Sequence, residues 1–192
     1  MPELPEVETM CRGIACFRGE VIATTQFPRL TQKPSPINPP PKNMAAKLHH
    51  ARILDITRLG KRAVLRIRKN EDDMDSFLVF EPRMTGLLLR VSPPTHQHVR
   101  LIVKTKQKHP LIFWDRRGLG TITLFDKPRF ESRFGSHAIG PDALIISGPT
   151  LYRRIHSSRR HIKVALLDQK ILAGVGNIYA SEILHEAKVD VI

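Results

Sequence analysis

The first residues of the chain pair a proline with a carboxylate, a combination that suits covalent chemistry on a sugar. Removal of Met1 would leave Pro2 as a secondary amine with Glu3 beside it. An α-amino group titrates near pH ~8, so part of it is unprotonated at neutral pH. A secondary amine that attacks an aldehyde-like sugar carbon forms an iminium ion, and Glu3 then suits general acid or base catalysis. The structural alternative is that Pro2 and Pro5 only begin a helix.

Two further motifs carry polar groups that suit a phosphate or a sugar oxygen. Lys61 follows Gly60 in a turn before an apolar strand, although a solvated lysine is the ordinary alternative. His96 and His98 are two residues apart, which predicts one face of an extended strand, either for phosphate binding or with no role. A metal site needs a third ligand that the sequence does not identify, so no metal ligand is predicted.

Two predicted turns carry side chains that are unusual at a protein surface. The first turn contains Met84, and the second contains Arg117 and Leu119. Proteins that kink DNA insert apolar wedges beside arginines where a base has left the stack. The alternative is that Met84 and Leu119 belong to the core and that Arg117 is a surface cation.

A glycine-rich stretch over residues 172–182 is more specific. It predicts the end of a helix, a tight turn at Gly174 and Gly176, and a new helix with Asn177 as its N-cap. The amides of such a helix point at an anion, and a helix-turn-helix scaffold without a ligand is the alternative. Upstream lies a predicted basic helical segment with three cations, Arg159, Arg160 and Lys163.

The elements that must hold these groups fall into two regions with different periods. Helical spacing near the N-terminus predicts a helix that ends at Arg18-Gly19, and Pro34–Pro41 predicts a stiff extended loop. Over residues 52–125 the period is two, and Val99, Leu101 and Val103 are predicted to share one face. This pattern predicts an antiparallel sandwich or a flattened barrel. The period turns helical after Pro128, with a boundary in the range 126–145.

The composition favours a polyanion as the partner. The chain of 192 residues has 31 lysines and arginines against 18 aspartates and glutamates, a formal charge of +13 that is spread along the sequence. Such a field attracts phosphates without sequence preference, and general RNA binding explains it equally well. Two cysteines, Cys11 and Cys16, make no disulfide framework, so a reducing, cytoplasmic setting is expected. No signal pattern and no apolar run long enough to span a membrane is present.

Taken together, the motifs resemble the formamidopyrimidine-DNA glycosylase/endonuclease VIII family. They occur in the family's order over almost the whole chain, and the first and last are the most specific. The motifs are Pro2–Thr9, Gly60-Lys61, Met84–Gly86, His96–His98, Asp115–Arg117 and Gly174–Glu182. The resemblance implies an α+β fold: a catalytic N-terminal antiparallel β-sandwich with flanking helices over residues 1–130, and a partial helix–two-turns–helix domain over residues 131–192.

The resemblance also implies a function and roles for particular residues. The expected activity is that of a bifunctional DNA glycosylase and abasic-site lyase that removes oxidised purines and cuts by β,δ-elimination. Pro2 would attack C1′ of a nucleotide rotated out of the duplex, Glu3 would assist ring opening and proton transfer, and Lys61 would lie near the phosphate or sugar. The other expected DNA contacts are Met84, His96, Arg117, Leu119, Arg159, Lys163 and Asn177. Damaged double-stranded DNA is the expected partner of a monomeric protein that has no membrane association.

This sequence departs from the family's pattern in three respects. The purine-specific branch usually has an aromatic residue where Leu119 stands and proline where Arg116 stands, which leaves the opposite-base preference open. Leu4 favours the formamidopyrimidine branch over the endonuclease VIII branch. Relatives continue into further helices, a loop that caps the damaged base and a four-cysteine zinc finger, whereas this sequence has no cysteine after Cys16. We therefore expect a fragment or a divergent form without zinc or another cofactor, in which the chemistry residues are present and DNA affinity is reduced.

Three alternatives come from other functional classes or from the other branch. An endonuclease VIII-like glycosylase would act on oxidised pyrimidines. A non-catalytic DNA-binding module would keep the scaffold without the reaction. A tautomerase with an N-terminal proline, acting on small keto acids, would explain Pro2 but neither the surplus positive charge nor the glycine-rich stretch.

Overall fold

Two facing β-sheets and a set of short helices make up the computed structural model, which describes residues 2–29 and 35–189. The helices are α1 (Leu4–Gly13), α2 (Pro41–Leu48), α3 (Lys127–Phe134), α4 (Gly148–His156), α5 (Ile162–Leu167) and α6 (Asn177–Glu186). The strands are β1 (Thr24–Gln26), β2 (Ile37–Asn38), β3 (Arg52–Leu59), β4 (Arg62–Arg68), β5 (Ser76–Glu81), β6 (Gly86–Leu89), β7 (Val99–Lys104), β8 (Leu111–Asp115) and β9 (Thr121–Asp126). The expected α+β class is confirmed.

The strands form a sandwich of one four-stranded and one five-stranded sheet. Their orders are β1-β7-β8-β6 and β2-β9-β5-β4-β3, and the pairing is antiparallel except between β2 and β9. The main core fills the space between the sheets and takes in apolar side chains of α1 and α2. Alternation along β4 follows the predicted period, since Ala63, Leu65 and Ile67 all point into this core.

Strand β7 breaks the predicted alternation. A bulge between Val99 and Leu101 shifts the register against β8. Because one extra residue moves a side chain to the other face, Val99 packs with Trp114 on the outer face while Leu101 points into the main core. The prediction of a common face for Val99, Leu101 and Val103 is therefore wrong for Val99. Arg100, at the bulge, is only 2% exposed.

The outer face of the five-stranded sheet is covered by α3. Val64 and Val79 on the sheet pack against Phe130 and Phe134 of the helix. Asp126 caps the helix by accepting a hydrogen bond from the amide of Arg129 at 2.9 Å. Both faces of this sheet are therefore apolar, which explains the unbroken apolar run Phe77–Phe80 in β5.

Helices α4, α5 and α6 enclose a separate, smaller core. Its buried members come from α5, α6 and the segment between them, namely Leu166, Leu172, Val175, Ala180 and Leu184. This core is built from the residues whose period turned helical in the sequence. No described helix is long and apolar enough to cross a membrane.

Three local predictions differ from the structure. The first helix ends at Gly13 instead of Arg18-Gly19, because a 3-10 turn at Ala15–Phe17 brings both Ile14 and Phe17 into the core. The proline-rich segment is not only a loop, since β2 lies within it and Pro41 begins α2; Pro34 lies outside the described residues. Helix α5 ends at Leu167, so Leu172 lies in a loop and not at a helix end.

Candidate functional site

The Glu3 carboxylate is fully buried at the junction between the sandwich and the helical region. It accepts hydrogen bonds from the backbone amides of Gly176, Ile178 and Tyr179 at 2.7, 3.0 and 3.3 Å. These are the unpaired donors at the start of α6, where the helix dipole also favours a negative charge. Glu3, the N-cap residue of α1, thus also caps α6, a helix that starts more than 170 residues later.

This arrangement corrects the predicted N-cap of α6. Asn177 is the first residue of the helix, Gly176 is the N-cap, and no side chain at the cap position makes a capping bond. A glycine is needed there because a Cβ at position 176 would overlap the Glu3 carboxylate. Asn177 remains exposed, so its side chain is free to face a ligand.

The glycine-rich loop also touches the chain next to Glu3. The amide of Leu4 donates to the carbonyl oxygen of Gly174 at 3.2 Å. Gly174 has φ +106°, a conformation that favours glycine, and a Cβ there would collide with the Leu4 side chain. A Cβ on Gly60 would lie 3.5 Å from the backbone nitrogen of Gly174. The loop, the start of α1 and the turn before Lys61 therefore meet at one place.

Pro2 and Lys61 line the same cavity of about 220 Å³ at this junction. The other lining residues are Arg62, Glu81, Arg83, Leu167 and Gln169. Pockets that enclose a whole small-molecule ligand measure about 300–1,000 Å³, so this one suits contact with part of a larger substrate. A larger cavity of about 520 Å³ lies at the C-terminal end of β4 and the N-terminal end of β5, and neither Pro2 nor Lys61 lines it.

Lys61 is a half-buried cation in a region of mixed charge. Burial lowers its pKa, the nearby Glu3 opposes that effect, and Arg62 adds to it, so the net pKa lies below the usual lysine value. On the other wall, Glu81 forms ion pairs with Arg62 and with Arg83, the latter at 3.1 Å. Within the described part of the chain, Lys61 thus has no carboxylate within ion-pair distance, and it lies beside two arginines that are already paired.

An arginine that sequence reasoning missed joins the two regions. Arg58 on β3 is only 7% exposed and pairs with Glu8 of α1 at 3.0 Å and with Asp142 of the helical region at 2.7 Å. It also donates to the carbonyl oxygen of Gly60 at 3.0 Å, which steadies the turn that carries Lys61. Burial raises the pKa of Asp142, but hydrogen bonds from Arg58 and from the Leu144 amide outweigh it and lower the pKa overall.

Gln169 is a second residue that sequence reasoning missed. Its amide nitrogen donates to the carbonyl oxygens of Leu167 and Val175 at 3.1 and 2.9 Å, and its oxygen accepts from the Gly174 amide at 2.9 Å. One side chain therefore fixes the loop between α5 and α6. Neither Arg58 nor Gln169 belongs to a recognised motif: Arg58 is identified by its long-range partners, and Gln169 by its hydrogen bonds within its own loop.

The three predicted wedge residues lie on two neighbouring loops of the sandwich. Met84 is 40% exposed, Arg117 is exposed and Leu119 is half-buried. The hydroxyl of Thr85 accepts a hydrogen bond from the Arg117 amide at 3.0 Å, which brings the two loops together. Met84 is therefore not a core residue, whereas Leu119 is partly covered.

The predicted phosphate contacts are more scattered than the sequence indicated. His96 and His98 lie in a 3-10 turn and not on an extended strand: His96 is exposed, while His98 is buried edge-on against Trp114 with ring centroids 5.6 Å apart. Arg159 is exposed in the link between α4 and α5, where no helix forms, and Lys163 is half-buried in α5. The prediction of one basic helical segment is wrong for Arg159 and Arg160.

The described residues do not form a zinc site. Over residues 2–29 and 35–189, no three His, Cys, Asp or Glu side chains are grouped closely enough to hold a metal ion. Cys11 is buried, which raises its pKa to about 12 and suppresses the thiolate that binds zinc.

Family models match both regions of the chain. The model for the formamidopyrimidine-DNA glycosylase N-terminal domain matches residues 1–122, and the model for the formamidopyrimidine-DNA glycosylase H2TH domain matches residues 139–191. Curated relatives include the formamidopyrimidine-DNA glycosylases of Zymomonas mobilis, 32% identical, and of Chloroflexus aurantiacus, 35% identical. Each alignment covers 98% of this chain and 68% or 66% of the relative, so the chain spans about two thirds of their length.

Solved structures of similar fold come from Lactococcus lactis. One is a complex of its formamidopyrimidine-DNA glycosylase with DNA that contains an abasic site, with a TM-score of 0.79 and 29% identity over 98% of this chain and 68% of that chain. Another contains DNA with an oxidised pyrimidine, with a TM-score of 0.80 and 29% identity over 99% of this chain and 70% of that chain. The resemblance inferred from the sequence motifs is confirmed.

Proposed function

The chain belongs to the formamidopyrimidine-DNA glycosylase family, and we propose that it excises oxidised purines from damaged duplex DNA and then cuts the abasic strand. The proposed substrates are 8-oxoguanine and formamidopyrimidines. The observation that carries the proposal is the shared cavity of Pro2 and Lys61 beside the buried Glu3 carboxylate. A nucleophilic amine, a cation and a fixed carboxylate are the three groups that this reaction needs.

Pro2 is the proposed nucleophile once Met1 has been removed. Its secondary amine attacks C1′ of the extruded nucleotide, the damaged base leaves, and an iminium ion links Pro2 to the opened sugar. That ion withdraws electrons from the neighbouring carbon, so loss of a proton there expels the 3′ phosphate by β-elimination. A second elimination expels the 5′ phosphate and leaves a one-nucleotide gap.

Glu3 is the proposed proton-transfer group. A carboxylate offers about four lone-pair positions, and the three amides at the start of α6 occupy most of them. Those bonds fix the orientation of the carboxylate next to the Pro2 amine. The same contacts require the helical region to be docked before Glu3 can act, so catalysis depends on both regions.

Lys61 and the exposed cations are proposed to bind the backbone of the damaged strand. Lys61 lies in the cavity with Pro2, where an ammonium group compensates the charge of a phosphate leaving group. His96, Arg159, Lys163 and Asn177 are proposed to contact flanking phosphates. Met84, Arg117 and Leu119 are proposed to fill the space that the extruded base vacates, with Arg117 facing the orphaned base.

Oxidised pyrimidines are a second candidate substrate class. Leu119 is smaller than the aromatic wedge usual in the purine-specific branch, and one structurally similar relative was crystallised with DNA that contains an oxidised pyrimidine. We also propose that the protein acts as a monomer, because the groups assigned to the reaction all come from one chain.

Borohydride trapping on a panel of duplexes tests the proposal, because reduction of the iminium ion leaves a stable covalent complex. The panel contains 8-oxoguanine, formamidopyrimidine, 5-hydroxycytosine, an abasic site and an undamaged control. We expect trapping on the abasic and purine-lesion duplexes and weaker trapping on 5-hydroxycytosine. Faster trapping on 5-hydroxycytosine would favour the second candidate. If no duplex were trapped at saturating protein concentration, the chain would be a non-catalytic DNA-binding module.

A further inference from the structure

The Asp115 carboxylate is a buried group that the reaction does not use directly. It lies at the end of β8 with 0% of its surface exposed. It accepts a hydrogen bond from the Gly120 amide at 2.7 Å, from the Thr85 hydroxyl at 2.5 Å and from the Arg117 amide at 3.2 Å. One carboxylate therefore contacts both ends of the loop that carries Arg117 and also reaches the loop that carries Met84.

Thr85 completes the connection between the two loops. Its hydroxyl donates to Asp115 and at the same time accepts from the Arg117 amide at 3.0 Å. Thr85 directly follows Met84, and Arg117 stands two residues before Leu119. A single hydroxyl thus couples the backbone positions of side chains that enter from separate turns.

Two further groups contact Asp115, one at its backbone and one at its carboxylate. Arg100, buried at the β7 bulge, donates from Nε to the backbone oxygen of Asp115 at 2.8 Å. The Ser35 hydroxyl approaches the Asp115 carboxylate at 3.4 Å. Burying a charge is costly unless it is hydrogen-bonded, and these contacts supply the Asp115 carboxylate with several donors.

We propose that Thr85 and Asp115 are positioning residues that hold the Met84 loop and the Arg117–Leu119 loop as one rigid insert. The wedge residues then enter the base stack in one event, because the ordering of the loops has been completed before DNA binds. This inference rests on the proposed function, in which the wedge replaces an extruded base. It assigns no contact with DNA to either Thr85 or Asp115.

The variants isolate the hydroxyl of Thr85. Thr85→Val keeps the shape of the side chain and removes the hydrogen bonds, whereas Thr85→Ser keeps the hydroxyl. Thr123→Val makes the same change at a half-buried position in β9, away from both loops. Asp115→Asn removes the charge and tests the other end of the same hydrogen bond.

Trapping on single-stranded and duplex DNA separates positioning from general stability. An abasic site in a single strand needs no base extrusion, whereas a lesion in a duplex does. We expect Thr85→Val and Asp115→Asn to slow trapping on an 8-oxoguanine duplex about tenfold, the effect of one lost hydrogen bond to a charged group. Single-strand trapping should stay within about twofold, and Thr85→Ser and Thr123→Val should behave like the wild type on both substrates.

Amide hydrogen exchange of the free protein provides a readout that needs no DNA. We expect Thr85→Val to speed exchange of the Arg117 amide by about tenfold, because its closest acceptor is lost. Unchanged exchange at Arg117, or an equal loss of trapping on both DNA forms, would overturn the inference. If the wild type trapped no abasic strand, the proposed function would fail, and the exchange result would still decide whether the loops are coupled.

Discussion

Two parts of the molecule are held by contacts of very different range. One is the reaction corner, where Pro2, Glu3 and Lys61 meet the start of α6; the other is the pair of wedge loops that carry Met84 and Arg117. Glu3 binds amides 173 to 176 positions later in the chain, so the corner exists only where the sandwich meets the helical region. The Asp115 carboxylate binds groups 2 to 30 positions away in its two loops and the more distant Ser35 hydroxyl, 80 positions away, all of them within the sandwich. In the proposed function, chemistry and base replacement therefore depend on different parts of the molecule, and we expect variants to separate them.

The largest expected effect comes from Glu3→Gln. A glutamine has one oxygen where the carboxylate has two, and its amide group would face the donors of α6. We expect base excision to fall by more than about a hundredfold, the usual scale for loss of a general acid or base. The free energy of unfolding should also fall by about 1–3 kcal/mol, because buried amides lose their acceptor. Base-release assays and urea titration measure the two effects, and wild-type excision would remove Glu3 from the mechanism.

A methyl group at Gly176 should disturb the corner without changing any polar group. The added Cβ would overlap the Glu3 carboxylate, so Gly176→Ala must displace it. We expect a loss of about 1–3 kcal/mol in the free energy of unfolding, as for other overpacked sites. Gly148→Ala is the matched control, because a Cβ there meets nothing within 4 Å.

The outcome at Gly176 also tests the comparison between the two regions. Amide exchange in the loops at Met84 and Arg117 should remain as in the wild type, because the hydrogen bonds that hold these loops are made to Asp115 and Thr85 within the sandwich. Equal destabilisation by Gly176→Ala and Gly148→Ala would contradict the docking of Glu3, as would faster exchange in the wedge loops alone.

Asp142→Asn should change how the stability of the junction depends on pH. The net pKa of Asp142 is lowered in the folded protein, so its stabilising effect is present above its unfolded pKa of about 3.9 and is lost as the pH falls through the lower, folded value. Urea midpoints of the wild type and the variant should therefore differ at about pH 6 and converge towards about pH 2. A constant difference over this range would show that the ion pair with Arg58 does not stabilise the junction.

The smallest expected effect is that of Asn177→Ala on stability. If Asn177 were the N-cap, replacing it by alanine would lower the free energy of unfolding by about 1 kcal/mol. Because Glu3 satisfies the first amides of α6 instead, we expect a change within about 0.5 kcal/mol in urea titration. Affinity for DNA, measured separately, should still decrease if Asn177 binds a phosphate. A loss near the full capping value would restore Asn177 as the N-cap.

The parts of this site that could be predicted from sequence are those determined locally. Pro2 and Glu3 are adjacent, Lys61 follows a glycine turn, and Met84 lies in a turn between strands, so short motifs carried each of them. Asn177 was misassigned as a cap because a polar residue before an apolar helix is the usual local signal. The actual acceptor, Glu3, comes from the other end of the chain, which no local pattern reveals.

The same distinction explains the errors in the fold. Period two predicted the strands well, but it could not reveal the bulge at Val99, because a bulge depends on pairing with β8. Arg100 lies buried at that bulge, and His98 lies in the 3-10 turn before it. Arg58 and Asp142 are 84 positions apart, so their pairing is visible only after the two regions have docked.

Locating the covalent link tests the central claim most directly. The wild-type protein is reduced with borohydride on an abasic duplex and digested, and the DNA-linked peptide is sequenced by mass spectrometry. A version with an uncleaved extension before Pro2 is the control that should not be trapped. We expect a sugar adduct on the amino group of Pro2 in a peptide that has lost Met1. An adduct on Lys61, or trapping by the extended control, would contradict it.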